Sequence, residues 1–331
     1  MNETFKAYVI DRETGEKVQT TGWRELHQSD LMEGDVTVRI RHTTMNYKDA
    51  LAITGKSPVV RRFPLIPGID FAGEVIDSEH PDFAVGDEVI LNGWGVGETH
   101  MGGFAQIARV RGDWLLKRPE GLSGAECMAI GTAGYTAALC VNRLIELGVT
   151  PDSGTVLVTG ASGGVGSFAV SLLAAQGFTV AASTGRTEEE AYLKRLGATE
   201  IVDRTEFSGK GRPLGKERFA AAVDSVGSST LANVLSQITY GGTVAACGLA
   251  QGFDLPATVM PFILRGVTLA GVDSVMAQQP EREAAWALLA QHLDRRALAE
   301  ITQEASLDEI EAIAPKLLDG QIRGRVLIMV P

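Results

Sequence analysis

Val156-Leu157-Val158-Thr159-Gly160-Ala161-Ser162-Gly163-Gly164-Val165-Gly166 joins a β-branched apolar run to a glycine-rich turn, and apolar residues then recur at helical spacing from Val165 through Leu173. Strand, turn and helix in that order are the context a dinucleotide phosphate loop needs. The glycines let backbone approach a pyrophosphate, and the helix N-terminus presents unpaired N–H groups and a positive dipole end. Ala161 stands where G-x-G-x-x-G has its first glycine, so the motif alone is a weak signal. Its setting strengthens it: the helix-like stretch Glu188–Leu196 follows and ends at Gly197-Ala198, a helix stop. Ser183, Thr184, Gly185 and Arg186 occupy the place where an acidic residue would hold a ribose 2′-hydroxyl. A cation with two hydroxyls suits a 2′-phosphate instead, and NADPH is the expected cofactor.

Outward from this loop the chain alternates. Thr155–Thr159, Thr179–Ser183, Glu200–Val202, Ala220–Asp224, Thr243–Ala246 and Val267–Val272 read as strands, and helical patterns separate the first five. That is the βαβ pattern of a doubly wound parallel sheet, in an α/β protein. Residues 1 to about 123 are different. Val36–Arg41, Gly73–Ile76, Asp87–Leu91 and Ala105–Val110 are short alternating strands between Gly, Pro and Asp turns, the pattern of a small barrel-like domain. Two amphipathic helices, Glu281–Leu293 and Leu307–Leu318, precede a last strand, Gly324–Val330. The expected division is a first domain of residues 1–123 to which 276–331 return, and a nucleotide domain of 124–275.

Composition narrows the function. The 331 residues exceed what one compact core holds. A net charge of -11 disfavours nucleic acid and anionic membrane surfaces as partners. No apolar run reaches the ~18 residues of a membrane span. Met1-Asn2-Glu3-Thr4-Phe5-Lys6 lacks an apolar signal core, so a cytoplasmic protein is expected. Cys127, Cys140 and Cys247 form no C-x-x-C pair, and the five histidines show no metal-ligand spacing, so no metal site is expected.

Several segments carry a family likeness: Asn46-Tyr47-Lys48-Asp49-Ala50, Pro67-Gly68-Ile69-Asp70-Phe71-Ala72-Gly73, Gly93-Trp94-Gly95-Val96-Gly97, Ile130–Thr136, Thr159–Gly166, Ala245–Ala250 and Val272–Met276. In this order the chain resembles the medium-chain dehydrogenase/reductase superfamily, in its zinc-independent quinone oxidoreductase branch, and within that branch the acrylyl-coenzyme A reductase group. The resemblance implies a GroES-like β-barrel catalytic domain and a Rossmann NADPH-binding domain. Where zinc-dependent relatives place Cys, Gly-His-Glu and a further Cys or acidic ligand, this chain has Asn46, Gly68-Ile69-Asp70 and Gly131. Thiolate and imidazole ligands are missing, so zinc-polarised alcohol oxidation is not expected.

A nicotinamide without a metal does best on an acceptor that is already polarised, such as an α,β-unsaturated thioester or a quinone. The protein must then position the partners and stabilise the developing enolate. Tyr47 and Asn46 are the candidate catalytic donors, with Tyr47 also packing on the nicotinamide; Asn46 is equally placed to cap a short helix over Lys48–Ile53. The resemblance implies Ser162, Gly163, Gly164 and Val165 on the pyrophosphate, Thr184, Gly185, Arg186 and Arg204 around the 2′-phosphate, and Leu249 and Ser274 near the nicotinamide half. Arg39, Arg41, Lys48, Lys56, Arg61 and Arg62 stand against Asp49 alone between residues 39 and 62. Lys56, Arg61 and Arg62 are therefore candidates for the phosphates of coenzyme A, with a solvated strand face and loop as the alternative. The apolar edge strand Val267–Val272 suggests a homodimer that extends the sheet, as the family likeness also implies.

Overall fold

The computed structural model describes residues 4–331. They form two compact units, residues 4–132 with Thr302–Pro331, and Ala133–Ile301.

In the second unit, the β-branched run Val156–Val158 is a fully buried strand at the centre of a parallel sheet. Across the sheet the strands run Glu200–Asp203, Val180–Thr184, Val156–Val158, Phe219–Asp224, Ile238–Ala246 and Thr268–Gly271. In chain order this is 3-2-1-4-5-6, the doubly wound order that places a dinucleotide at the reversal beside its first strand. All six expected strands are found, shifted at their ends by a residue or a few. Leu157, Ala181, Val202, Phe219, Ala222, Val234 and Val244 fill the core under one face.

In the first unit, Val36–Thr44 is the hub of a mixed sheet. It pairs antiparallel with Asp70–Ser78, Ile107–Val110 and Arg325–Met329. Asp70–Ser78 in turn pairs with Glu88–Asn92, and Arg325–Met329 pairs in parallel with Thr302–Ser306. A further antiparallel pair, Thr4–Asp11 with Thr20–His27, was not expected from sequence. The core beneath runs from Phe5 and Tyr8 to Val326 and Ile328, so the C-terminal strand is a structural part of this unit.

The expected boundaries need correction. The chain leaves the first unit within the helix Gly124–Glu146, which is broken at Gly131 (φ 51°, ψ -163°), so the division falls after Thr132 rather than after 123. Likewise 276–301 do not return. The helix Gln279–His292 belongs to the second unit, where Trp286 stacks on Tyr135 with ring centroids 6.4 Å apart. Only Thr302–Pro331 rejoin the first unit.

Candidate active site

The phosphate loop of the second unit is built by backbone conformation. Gly160 takes the left-handed conformation (φ 60°) that turns the chain out of its strand. Because the left-handed residue is Gly160, Ala161 carries no such demand; it is buried, and its N–H donates to Ser183 O at 3.0 Å. A Cβ on Gly166 would fall on Gly160 O and Ala161 Cα, so glycine there is what lets the helix Gly164–Ala175 start against the turn. The loop is supported from the neighbouring strand. Thr159 Oγ1 donates to Asp224 Oδ1 at 2.7 Å, and Ser225 Oγ donates to Thr159 O at 3.2 Å. Burial pushes the Asp224 carboxyl above its ordinary range, while its hydrogen bonds from Thr159 and Gly227 oppose that shift.

Beside the loop the expected 2′-phosphate residues come together. Arg186 Nη2 donates to Ser162 Oγ at 2.9 Å, its backbone N–H donates to Thr184 Oγ1 at 3.1 Å, and the two hydroxyls lie 3.2 Å apart. Arg204 lies across Gly185, where a Cβ would meet its guanidinium. Two guanidinium groups and two hydroxyls at the edge of a helix N-terminus are the donor set a doubly charged phosphate requires. Glycine backbone free to approach, and a cationic pair at the position reserved for the 2′ substituent, fit NADPH. Leu249 lines a crevice at the carboxyl ends of Ile238–Ala246 and Thr268–Gly271, together with Cys247, Gly248, Val272 and Asp273. Ser274 follows directly, half-buried.

The first unit holds the other candidates. Tyr47 is the first residue of the helix Tyr47–Thr54 and is 48% exposed, so its phenol is accessible. Asn46 is not available in the same way. Its backbone N–H donates to Asp49 Oδ2 at 2.8 Å, and its Nδ2 donates to Asp49 Oδ2 at 3.1 Å and to Asp70 Oδ2 at 2.9 Å. Its Oδ1 accepts from Arg325 Nη1 at 3.1 Å. Both ends of the amide are engaged inside the protein and the residue is buried, so the structure makes Asn46 a cap and an anchor rather than a donor to substrate.

Around that amide lies a polar network that sequence reasoning missed. Asp70 accepts from Asn92 Nδ2 at 2.9 Å, from Thr132 N at 2.7 Å and from the Thr132 hydroxyl. Arg325, wholly buried, donates to Thr44 Oγ1 at 2.7 Å. A Cβ on Gly131 would collide with Arg325 Nη2 and crowd Thr44 and Asp70, which explains both the glycine and the helix break there. Burial, and then the charge of Asp70, push the Asp49 carboxyl up to about 7. Burial holds the Arg325 guanidinium below its ordinary value, and the charges of Asp70 and Asp49 oppose this. One signal was present: an arginine opening the apolar strand Arg325–Met329 needs a buried partner. Among the described residues no group of three His, Cys, Asp or Glu side chains could hold a metal ion.

The basic run is partly neutralised. Lys48 pairs with Glu98 at 2.8 Å, Arg41 with Glu74 at 3.7 Å and Lys56 with Asp319 at 3.9 Å. Arg61 and Arg62 are exposed and enter no ion pair among the described residues.

Known proteins resemble this chain along nearly its whole length. Residues 32–120 match the family model of the alcohol dehydrogenase GroES-like domain, and residues 164–291 match that of the zinc-binding dehydrogenases. The chain is 51% identical over 326 residues to a probable acrylyl-CoA reductase of Escherichia coli, covering 98% of this chain and 100% of that protein. It is 47% identical over 325 residues to an acrylyl-CoA reductase of Ruegeria pomeroyi, covering 98% of each. A crystal structure of a Salmonella enterica oxidoreductase in complex with NADP superposes with a TM-score of 0.95 at 51% identity, covering 98% of this chain and 100% of that one.

Proposed function

We propose that this chain, which belongs to the medium-chain dehydrogenase/reductase family in its quinone oxidoreductase-like branch, is an NADPH-dependent reductase of the C=C bond of acryloyl-CoA, giving propanoyl-CoA. The observation that carries the cofactor half is the Ser162–Thr184–Arg186 cluster with Arg204 alongside. The substrate half is supported by the two relatives bearing that activity in their names, each matched along nearly its whole length.

When bound, NADPH supplies the hydride. The backbone of Ser162, Gly163, Gly164 and Val165 would hold its pyrophosphate, and Thr184, Gly185, Arg186 and Arg204 would hold its 2′-phosphate. Leu249 and Ser274 flank the nicotinamide half. Reduction at the β-carbon of a conjugated thioester builds negative charge on the thioester oxygen, and the accessible Tyr47 phenol is the proposed donor that stabilises it. No metal takes part in this reading. Arg61 and Arg62, exposed and without ion-pair partners among the described residues, with Lys56 nearby in sequence, are the proposed contacts for the coenzyme A phosphates.

The proposal extends to assembly and place. Thr268–Gly271 ends the parallel sheet as an edge strand, and the preceding Val259, Ile263 and Leu264 are 63%, 73% and 56% exposed. A monomer seldom leaves such a row open, which supports a homodimer. No helix among the described residues is long and apolar enough to cross a membrane. A cytoplasmic location is part of the proposal, supported by Cys127, Cys140 and Cys247 being free thiols, which suits a reducing compartment.

The deciding assay follows NADPH and NADH oxidation against acryloyl-CoA, crotonyl-CoA and p-benzoquinone. The highest kcat/KM is expected for NADPH with acryloyl-CoA. A higher kcat/KM for the quinone would replace this reading with that of an NADPH-dependent quinone or enone oxidoreductase on the same fold.

A further inference from the structure

Asp70 is wholly buried, and its two carboxylate oxygens serve three separate stretches of chain. Oδ2 accepts from Asn46 Nδ2 and from Thr132 N, while Oδ1 accepts from Asn92 Nδ2 and from the Thr132 hydroxyl. Each asparagine lies just before an aromatic residue, exposed at Tyr47 and half-buried at Trp94. Asn46 immediately precedes Tyr47, and Asn92 precedes the turn Gly93-Trp94-Gly95, in which all three residues have positive φ. A tryptophan in the left-handed region is strained, and it persists only where its surroundings dictate it.

We propose that Asp70 is a positioning residue for Tyr47, acting through the Asn46 amide to fix the first turn of the helix Tyr47–Thr54 and with it the direction of the phenol. This rests on the reading of Tyr47 as the donor to the developing enolate. The helix has eight residues, too few to hold its own direction in isolation. Ala50, Ala52 and Ile53 bury its inner face in the core, and its cap fixes the first turn that carries Tyr47. Asp49, the other carboxylate on Asn46, lies within the same helix, and its Oδ1 accepts from Ile69 N at 3.0 Å, a second tie between that helix and the chain entering the strand. Asp70 belongs instead to the strand Asp70–Ser78, which is held in register with Val36–Thr44 on one side and Glu88–Asn92 on the other. The Asn46–Asp70 bond thus ties the helix start to the sheet. It does so away from water, where a charge-assisted hydrogen bond is strong and directional.

The test is a double-mutant cycle between Asn46→Ala and Tyr47→Phe, with Asp70→Asn run beside it, using whichever of acryloyl-CoA or p-benzoquinone the wild type reduces faster. The choice of acceptor separates this proposal from the acyl-CoA reading, whose failure would show only as a preference for the quinone. Asn46→Ala is expected to lower kcat about ten-fold while leaving the KM for NADPH within about two-fold. In the Tyr47→Phe background the same change is expected to lower kcat by less than about two-fold, because its route to the chemistry is already gone. Asp70→Asn is expected to repeat this pattern. Should that variant not fold, Asn46→Ala still decides, since it leaves Asp70 bonded to Asn92 and Thr132. Equal losses in both backgrounds, an unchanged kcat for Asn46→Ala, or a Tyr47→Phe variant as fast as wild type would each overturn the proposal.

Discussion

Each unit gathers hydroxyl, carboxylate or amide groups around an arginine, and the two clusters differ in what surrounds them. In the first unit Asn46, Asp49, Asp70 and Arg325 are all buried and bond mainly to one another and to backbone. In the second unit Arg186 is only half-buried and Arg204 is exposed, and Arg186 donates to the Ser162 and Thr184 hydroxyls. A closed cluster holding both signs of charge is already neutralised and has nothing left to offer a ligand. A solvent-open cluster of cations and hydroxyls can admit an anion. The difference separates residues that hold the fold, and with it Tyr47, from residues that hold the cofactor, and substitutions in the two should have different signatures: stability and kcat in the first, cofactor affinity in the second.

The largest effect should come from Arg325. Its guanidinium is buried beside two carboxylates, so Arg325→Met leaves those charges without their counter-charge. Breaking a buried charge cluster from one side is worth about 3–5 kcal/mol, and the urea midpoint should fall accordingly. A loss below about 1 kcal/mol would mean that the cluster is not a structural keystone, and the comparison between the two units would lose its basis.

Asp49 tests the same cluster through pH. Its carboxyl ordinarily titrates near 3.8, and here it is pushed up to about 7 by burial first and by Asp70 second. Because the folded-state value lies above the unfolded one, the folded protein keeps a proton between those values that the unfolded chain has released. Stability therefore falls as pH rises through that window, and the loss is complete above about pH 7. Asp49→Asn has no such proton. Relative to that variant, wild type should lose about 3 kcal/mol of unfolding free energy between about pH 5 and about pH 8. Parallel pH profiles for the two proteins would show that Asp49 titrates as an ordinary carboxyl.

The two clusters were also unequally legible in the sequence. Ser162, Thr184 and Arg186 were legible because a phosphate loop and the end of the next strand are close in sequence, and the βαβ pattern fixes how they meet. Asn46, Asp70, Asn92, Thr132 and Arg325 are drawn from five separate stretches, and only the pairing of Val36–Thr44 with its neighbours brings them together. Asn46 illustrates the limit: its amide could be read as a donor or as a cap, and the choice depended on Asp70 and Arg325, which sequence spacing does not place. The doubly wound parallel sheet of the second unit followed from alternating strands and helices. The strand Thr20–His27, by contrast, is largely exposed on both faces and so lacks the apolar alternation that marks a strand. The break at Gly131 was hidden for a similar reason, since its cause is the distant Arg325.

Arg186 supplies the smallest of these effects and the most selective. Its hydrogen bonds to Ser162 hold the guanidinium in place before any ligand binds, at 2.9 and 3.3 Å to Ser162 Oγ. A charge-assisted contact to a phosphate is worth roughly 1.5–3 kcal/mol, which corresponds to about ten-fold or more in affinity. Arg186→Ala should therefore raise the KM for NADPH at least about ten-fold while leaving that for NADH nearly unchanged, because NADH has no 2′-phosphate to lose. The urea midpoint should stay at the wild-type value, since a half-buried cation at the edge of the sheet supports no core. An NADPH KM that does not move would remove Arg186 from the 2′-phosphate site. A large fall in the urea midpoint would instead make this open cluster structural, as the closed one is, and erase the distinction between the two units.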